Sequence, residues 1–305
     1  MVDLTLQEWP EWGGPLMLDA LLSQLANGLV LGFLYILIAI GLSIIFGLLG
    51  IVNFAHGAFF ALGAYFAVTF IGLAGWPAVI LAPFAVAAVS VVCELVLIRR
   101  LYREGPLLGL IVTFALALLI EALIRTFWGS MGIPMSPPAF LAGLVEFGPV
   151  LLTSYRLAIL VITVLILALM WVFFTFTPYG RILRAGSRDP EMLAFLGVNF
   201  PRVMTGAFAL GCFLAGTAGA LAGPLWSVSP SMSSAASMPA FVIVTIGGLG
   251  SYKGAVVAGL LVGVVTALAV QFAPESSGIA MYLLMAAVLL LRPRGLFGEA
   301  WERFE

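Results

Sequence analysis

Charged residues are unusually scarce in this 305-residue sequence. Asp, Glu, Lys and Arg make up only 9% of the chain, whereas soluble globular domains carry about 25%. Hydrophobic residues account for 63%. These proportions exclude a soluble protein and place most of the chain in a lipid bilayer. The net charge of −1 also lacks the basic character of a nucleic-acid-binding protein, so no nucleic acid is expected as a partner.

Histidine is nearly absent, which excludes the common catalytic metal sites. His56 is the only histidine, so a His-Glu-x-x-His zinc site cannot form. An intramembrane serine protease would need a Gly-x-Ser-x-Gly-like nucleophile, and the chain contains none. We therefore expect no catalytic residue, no metal site and no resident cofactor in this chain.

Lysine and cysteine are equally scarce. Lys253 is the only lysine, and the chain has no Gly-x-x-x-x-Gly-Lys-Ser/Thr phosphate loop. Any ATP that drives the protein must therefore be hydrolysed by another chain. Cys93 and Cys212 lie inside apolar runs, where we interpret them as small hydrophobic residues and not as a disulfide or a metal pair.

Long runs without charge predict membrane-crossing helices. A hydrocarbon core about 30 Å thick needs about 20 apolar residues per helix, and the runs are continuous, unlike the alternating strands of a membrane β-barrel. A further run at 239–250 is too short for a full crossing and predicts a half-length helix with a Gly-rich break. We therefore predict an all-α polytopic bundle with about eight long spans plus one short or broken helix. The eight long runs are 20–46, 54–72, 77–98, 106–127, 156–177, 203–224, 255–272 and 277–291.

Basic residues predict the orientation in the membrane, because Lys and Arg in short loops stay on the cytoplasmic side. Arginines cluster at 99–103, 181–202 and 292–303, and these clusters share one face if the run at 239–250 is a ninth crossing. We therefore predict that the N-terminus lies outside and the C-terminus in the cytoplasm. The expected regions are a periplasmic extension at 1–19, a single membrane domain at 20–292 with a cytoplasmic segment at 179–202, and a cytoplasmic tail at 293–305.

Two breaks between apolar helices, at 47–57 and 247–254, have similar sequences. Each has Gly-x-Leu-Gly at a helix end, then a short connection that contains polar residues, then a glycine that begins a helix of small residues. This similarity indicates an internal repeat, and many transporters have broken helices at corresponding positions near the transport pathway. The candidate pathway residues are Asn53, His56 and Gly57 in the first break and Gly247, Gly248 and Gly250 in the second.

His56 has two possible roles. It can relay a proton or sense substrate, because imidazole titrates near physiological pH. Alternatively, it forms hydrogen bonds with backbone groups freed by the helix break, and this is the interpretation we favour. The same two roles are open to Asn53.

Other polar and small residues predict contacts between helices. Glu121 and Arg125 are four residues apart on one helix face and form a natural ion pair; Glu94 is expected to pair with Arg99 or Arg100 at a membrane interface. Small residues at helical spacing allow close helix packing, within the chain or against a second subunit. Gln24 and Asn27 either line a pathway or form hydrogen bonds across helices. The small-residue positions are Gly28 and Gly32, Ala215, Gly219 and Gly223, and Gly259 and Gly263.

The segment between the fifth and sixth runs predicts a short cytoplasmic helix. Asp189 can cap its start, Pro190 suits the first turn, and Gly197 can end it in the left-handed conformation. About two turns fit between these residues, and so short a helix is marginal on its own. Its apolar side chains need a partner, which is either lipid, the rest of this chain, or a groove in a cytoplasmic protein.

These segments together resemble the LivH-type permeases of branched-chain amino acid ABC transporters. The resemblance extends from about Leu22 to Gly295, and its most specific part is the stretch Asn53-Phe54-Ala55-His56-Gly57. It also includes Gly-Gly-Leu-Gly-Ser at 247–251 and the Asp-Pro-Glu pattern that begins at Asp189. The resemblance implies that the segment around 187–197 couples the permease to ATPases. The implied coupling residues are Ser187, Asp189, Glu191, Met192, Leu193, Ala194, Leu196 and Gly197.

The resemblance further implies a multi-subunit importer in the bacterial inner membrane. Its other parts would be a LivM-type permease, two LivF/LivG-type ATPases that use ATP and magnesium, and a periplasmic solute-binding protein, with membrane lipid around the permeases. Similar permeases carry urea, short-chain amides or aromatic acids, so the substrate stays open. An ATP-independent channel or a secondary transporter for a small neutral solute such as urea is the alternative function.

Overall fold

A computed structural model describes residues 15–102, 106–148, 150–188, 193 and 195–298. Within these ranges the chain forms ten α-helices. An antiparallel hairpin of β1 (Leu144–Phe147) and β2 (Val150–Thr153) pairs Leu144 with Thr153 in the connection between α4 and α5. The helices are α1 (Pro15–Leu49), α2 (His56–Ala74), α3 (Leu81–Val96), α4 (Pro106–Trp128), α5 (Ser154–Phe176), α6 (Pro178–Arg188), α7 (Phe200–Trp226), α8 (Met232–Gly247), α9 (Tyr252–Phe272) and α10 (Ser277–Leu291).

The predicted polytopic helical bundle is confirmed, because seven helices in the described ranges are long and apolar enough to cross a membrane. Two further apolar helices, α8 and α10, fall short of the length of a candidate span and are called the two short helices below. Helix α8 has 16 residues and α10 has 15, which correspond to lengths of about 24 Å and about 22 Å, less than the hydrocarbon core. From the sequence we predicted one short helix and expected the run at 277–291 to be a long span. The structure shows that this run is also short. The structure also starts α8 earlier than the predicted run at 239–250.

Helix α1 forms the centre of the bundle and packs along α9 through glycines. A Cβ atom on Gly28 would lie 3.0 Å from the carbonyl oxygen of Gly263, and one on Gly32 would lie 3.0 Å from that of Gly259. These distances are too short for a larger side chain on either helix. The predicted small-residue surfaces at these four glycines therefore pack against each other within the chain.

Helix α7 packs against α1 and α2 through the same kind of contact. A Cβ atom on Gly211 would lie 2.6 Å from the carbonyl oxygen of Gly41, and one on Gly219 would overlap the carbonyl of Phe60. By contrast, α10 has no buried residue, and α5 exposes apolar side chains such as Val161 and Leu165. The core thus lies around α1, α2, α7 and α9, while α5 and α10 lie at the periphery.

One end of the bundle carries most of the basic residues and is called the basic end below. Helices α1, α3, α5, α8 and α10 end there, and α2, α4, α7 and α9 begin there. The C-terminal segment also packs at this end, where the backbone N–H of Leu296 donates to Ile246 (2.8 Å) and that of Phe297 to Gly247 (3.0 Å). The basic residues of this end are Arg99, Arg100, Arg181, Arg184, Arg188, Arg202, Lys253, Arg292 and Arg294.

Candidate functional site

The two predicted helix breaks meet at the basic end, together with α6. A Cβ atom on Gly47 would lie 3.5 Å from the Cα atom of Gly250 and 3.7 Å from the Cβ atom of Ser187. This three-way contact, called the junction below, joins the end of α1, the α8–α9 connection and the last turn of α6. Residues from both breaks and from the predicted coupling segment therefore lie side by side.

Glycine is required in the second break by both space and backbone conformation. Gly248 and Gly250 have φ angles of 98° and 78°, in the left-handed region that favours glycine. A Cβ atom on Gly247 would overlap Gly254, so α8 and α9 approach each other backbone to backbone. Ser251 caps α9 by accepting a hydrogen bond from the N–H of Gly254 (3.1 Å).

Asn53 shapes the first break. Its side chain is buried, its Oδ1 accepts from the N–H of Ala55 (3.1 Å), and its carbonyl accepts from the N–H of His56 (3.2 Å). Thr113 of α4 supports the same turn, because its hydroxyl accepts from the N–H of Phe54 (3.3 Å). Asn53 therefore turns the chain from α1 into α2.

His56 is buried and connects α2 to α1. Its Nε2 lies 2.9 Å from the carbonyl oxygen of Ile38, and a Cβ atom on Gly41 would lie 3.1 Å from the ring. The partner is a backbone group, as the favoured interpretation requires, but Ile38 lies inside α1 and not in the break. Within the described residues, no titratable side chain forms a hydrogen bond with His56, and Nδ1 has no partner.

Gly57 allows α2 to pack closely against α8. A Cβ atom at this position would overlap the hydroxyl of Ser237 and the carbonyl of Ser233. The Ser237 hydroxyl donates to that carbonyl (2.8 Å), so it cannot move away without losing the bond. Asn53 thus shapes the turn into α2, while His56 connects α2 to α1 and Gly57 allows α2 to pack against α8.

The coupling segment is described only in part. Asp189, Glu191, Met192 and Ala194 lie outside the described residues. Gly197 has a φ angle of 77°, as expected of a left-handed helix stop, and the N–H of Val198 donates to the carbonyl of Leu193 (3.1 Å).

The apolar side chains of this segment differ in their surroundings. Leu193 is buried, and a Cβ atom on Gly186 would lie 2.9 Å from its Cδ1. Phe195 is 86% exposed and Leu196 is 71% exposed. Of these three side chains, only Phe195 and Leu196 are accessible to a partner.

A cavity of about 360 Å³ lies directly at the junction, between α1, α5, α6 and the start of α9. Gly47, Ser187 and Gly250 form part of its wall. The hydroxyl of Ser43 is buried in this wall and has no hydrogen-bond partner among the described residues. The wall otherwise consists mainly of apolar side chains, with two basic residues. Representative lining residues are Ile44, Trp171, Phe174, Leu183, Arg184 and Lys253.

Glu94 is the centre of a polar cluster that the sequence revealed only in part. Its carboxylate is fully buried and pairs with Arg99 (Nε–Oε1 3.4 Å). It also accepts from the hydroxyls of Tyr102 (2.5 Å) and Thr205 (2.8 Å). Burial, followed by the hydrogen bond to Glu94, raises the pKa of Tyr102 above its usual value.

This cluster joins the end of α3 to the first turns of α7, which follows the coupling segment. The guanidinium group of Arg99 donates to the Thr205 hydroxyl as well (2.6 Å). Tyr102 and Thr205 were not predicted, because neither residue carries a charge and Thr205 is distant in sequence. Arg100 is not bonded to Glu94 in the described residues.

At the opposite end, Gln24 and Asn27 form hydrogen bonds across helices, one of the two predicted alternatives. Gln24 donates to the carbonyl of Ala267 on α9 (2.7 Å), and Arg156 of α5 donates to the amide oxygen of Asn27. Arg125 pairs with Glu121 at 2.6 Å, as predicted. Arg156 was missed, because its partner is a neutral amide from another helix.

Comparison with known proteins identifies the family. A family model described as "Branched-chain amino acid transport system / permease component" matches residues 24–291. The chain belongs to this permease family. The match includes both breaks and the predicted coupling segment, and it confirms the resemblance seen in the sequence. The chain is therefore a multi-pass membrane protein of a transport permease family.

Two relatives of this permease, BraD and LivH, align over nearly their whole length, and a third, LivM, over about two thirds of its length. BraD of Pseudomonas aeruginosa, a high-affinity branched-chain amino acid transport permease protein, is 31% identical over 294 residues, which cover 91% of this chain and 96% of BraD. LivH of Escherichia coli K12 is 30% identical over 299 residues, with the same coverage. LivM of Salmonella typhimurium is 29% identical over 295 residues, covering 86% of this chain and 67% of LivM.

Proposed function

We propose that this chain is the permease subunit of an ATP-driven importer for branched-chain amino acids. The junction of Gly47, Ser187 and Gly250 is the observation that carries the proposal. It connects a segment that has exposed apolar side chains with two breaks in the helical bundle. Family membership and the names of BraD and LivH support the substrate class.

Phe195 and Leu196 form the docking surface for an ATPase. Exposed apolar side chains on a short helix suit insertion into a groove of a partner protein, and both residues are largely exposed at the basic end. ATP and magnesium would bind in the ATPase, because this chain has no phosphate loop. The buried Leu193 anchors the docking surface to α6 through its contact at Gly186.

Transport would follow from movement of α6 against the junction. ATP binding moves the ATPases, and the docking surface transmits this movement to Ser187 in the last turn of α6. Ser187 lies beside both Gly47 and Gly250, so displacement of α6 changes the packing of both breaks at once. The cavity at the junction would then open towards the cytoplasm in one state and close in the other.

The basic end is proposed to face the cytoplasm, in accordance with the positive-inside rule. The N-terminus would then lie outside and the C-terminus inside, in the bacterial inner membrane. A periplasmic solute-binding protein would deliver substrate at the opposite end. A LivM-type chain is the proposed second permease, and LivM itself aligns with this chain. Two LivF/LivG-type ATPases would complete the complex.

The test is purification of the tagged chain from its native membrane in mild detergent, followed by reconstitution in liposomes. We expect ATPase subunits and a second permease to copurify, and leucine uptake to require the binding protein, ATP and magnesium. A chain that purifies alone and conducts or exchanges solute without ATP would contradict the proposal. That result would favour the channel or secondary-transporter alternative, and uptake of urea, an amide or an aromatic acid instead of leucine would change the substrate class.

The docking surface is tested by replacing Phe195 and Leu196 together with aspartate. We expect the variant to fold and insert but to lose the copurifying ATPases. Met131→Asp is the matched control, because Met131 is also an exposed apolar residue (84%) but lies at the opposite end. Retention of ATPase by the double variant would show that docking occurs elsewhere.

A further inference from the structure

A second cavity, of about 540 Å³, lies at the end of the bundle opposite the basic end. Its wall comes from α1, α8, α9, α10 and the loop before α8. No charged side chain is among the described lining residues, whereas hydroxyl groups are frequent. Its volume is within the range of small-molecule sites, about 300–1,000 Å³. The hydroxyl-bearing lining residues are Tyr35, Ser231, Ser234, Thr266, Ser277 and Tyr282.

Two helices begin at this cavity, and they are the two short ones. Ser231 and Ser234 belong to the start of α8, and Ser277 and Gly278 begin α10. The N-terminus of a helix carries a partial positive charge and free N–H groups, which favour an anion. In transporters, the N-termini of discontinuous helices point at anionic groups of the substrate.

Among the hydroxyl groups of the wall, those of Tyr35 and Thr266 lie on largely buried side chains and have no hydrogen-bond partner within the described residues. The side chain of Tyr35 is only 9% exposed, lines the cavity, and its ring packs against Trp226 with a centroid distance of 6.4 Å. The Oγ1 atom of Thr266 is buried without a hydrogen bond. Buried polar groups normally have a partner, so the buried hydroxyl of Thr266 is available to donate to a bound ligand. The hydroxyl of Tyr35 forms no hydrogen bond with the described residues and can also donate to a ligand in the cavity.

The serine hydroxyls of the wall complement these donors. Ser234 already donates to the carbonyl of Ser231 (3.0 Å) and Ser277 to that of Pro274 (2.8 Å). Their oxygen lone pairs can still accept hydrogen bonds. The cavity therefore offers donors for a carboxylate and acceptors for an ammonium group, with Met238 and Met281 as an apolar wall.

We infer that this cavity binds the carboxylate and ammonium groups of a small apolar α-amino acid before it crosses the membrane. Tyr35 and Thr266 donate to the carboxylate, and the starts of α8 and α10 stabilise its charge. This inference rests on the proposed function for its substrate class. It adds a substrate site within this chain and assigns a role to the two short helices.

The cavity is separated from the one at the junction by a packed layer. Tyr35 lines the cavity opposite the basic end, and Ile40 lines the cavity at the junction. They are five residues apart on α1, or about 8 Å along the helix axis. The residues between them, 36–39, are almost completely buried. Substrate in the cavity opposite the basic end would therefore be separated from the cavity at the junction by a closed layer until the bundle rearranges.

The test measures leucine transported per ATP hydrolysed by the complete transporter in liposomes, with its binding protein. We expect Tyr35→Phe combined with Thr266→Val to lower this ratio by about tenfold or more, since each hydrogen bond to a charged group contributes about that factor. Tyr65→Phe combined with Thr163→Val is the matched control. These residues also carry buried hydroxyls without partners, but they line neither cavity described above.

A labelling experiment keeps the wild-type hydroxyls in place. Ala235 lines the cavity and is exposed, so we expect Ala235→Cys, in a background with Cys93 and Cys212 replaced by alanine, to react with a membrane-impermeant maleimide. Leucine-loaded binding protein should slow this reaction several-fold. Ser130→Cys, in an exposed loop at the same end, should react at an unchanged rate.

The outcomes separate this inference from the proposed function. Suppose that the wild-type transporter takes up leucine, but the double variant transports as much leucine per ATP as its control and leucine does not slow labelling of Ala235→Cys. The proposed site is then wrong, and the proposed function stands. If the wild-type transporter does not take up leucine, the proposed substrate class fails. If leucine slows labelling at Ala235→Cys and the double variant loses coupled transport, the site is supported.

Discussion

Gly47 and Gly250 face each other at the basic end, with the Cα atom of Gly250 3.5 Å from the position of a Cβ atom on Gly47. The two glycines belong to the two helix breaks that resemble each other in sequence. Ser187 of α6 lies against the same point. A methyl group at Gly47 would make an ordinary van der Waals contact, whereas a larger side chain would force the junction apart.

Gly47→Leu is therefore expected to impair transport, while Gly47→Ala is tolerated. Overpacking typically costs about 1–3 kcal/mol, which would lower the population of the packed junction by about fivefold to a hundredfold. Gly72→Leu is the control, because no atom of the described residues lies within 4 Å of a Cβ at that helical glycine. The measurement is leucine uptake at equal amounts of assembled transporter. Normal uptake by Gly47→Leu would show that the junction does not move during transport.

Replacement of His56 should reveal a structural role. We expect His56→Gln to retain both the uptake rate and its pH profile, because an amide nitrogen can still donate to the carbonyl of Ile38. His56→Leu removes the donor and should destabilise the protein by about 1–3 kcal/mol. The readouts are uptake between pH 5 and 8 and thermal unfolding in detergent. A flattened or shifted pH profile in His56→Gln would support the proton-relay role instead.

Removal of the buried carboxylate of Glu94 should weaken the contact between α3 and α7. Glu94→Leu leaves Arg99, Tyr102 and Thr205 without their shared acceptor, and we expect a loss of about 1–3 kcal/mol, because Arg99 is 38% exposed and can regain water. Glu121→Leu is the matched control. The Glu121–Arg125 pair is more exposed, so its loss should cost less than about 1 kcal/mol. Equal melting temperatures for the two variants would contradict this ranking.

Leu193 and Leu196 should respond differently to the same substitution. Leu193→Asp places a charge against Gly186 in a buried position and should reduce the amount of folded permease. Leu196→Asp alters a side chain that is 71% exposed and should leave folding intact while weakening ATPase binding. Membrane yield, melting temperature and copurified ATPase separate the two effects. Normal folding of Leu193→Asp would mean that this side chain is not buried by the chain itself.

Helix positions were largely predictable, because the length and apolarity of each span are local properties. The predicted runs at 54–72 and 106–127 coincide with α2 and α4 to within a few residues. The hairpin of β1 and β2 was not predicted, because strands of four residues leave little periodic signal. The early start of α8 was also missed, since its first turns are rich in serine and do not form an apolar run.

The candidate sites were only partly predictable. His56 and Glu94 stand out in the sequence as a single histidine and a carboxylate near a span end, but their partners Ile38 and Thr205 do not. The pairing of Gly28 and Gly32 with Gly259 and Gly263 was left open between an internal contact and a contact with a second subunit. Tyr35 and Thr266 gave no signal, because hydroxyls are common in apolar helices and only the surrounding described residues show that these two lack a hydrogen-bond partner there.

The amino-acid sequence by itself determined that this protein is a helical membrane permease, and which family it belongs to. Those properties depend on composition, on runs of about 20 residues and on short motifs, all of which are local. Tertiary structure alone decided that Gly47 meets Gly250 and Ser187, that Leu193 is buried while Leu196 is exposed, and that α8 and α10 begin at a cavity rich in hydroxyls. These features arise from contacts between helices far apart in the chain, where steric fit and hydrogen bonding select one arrangement.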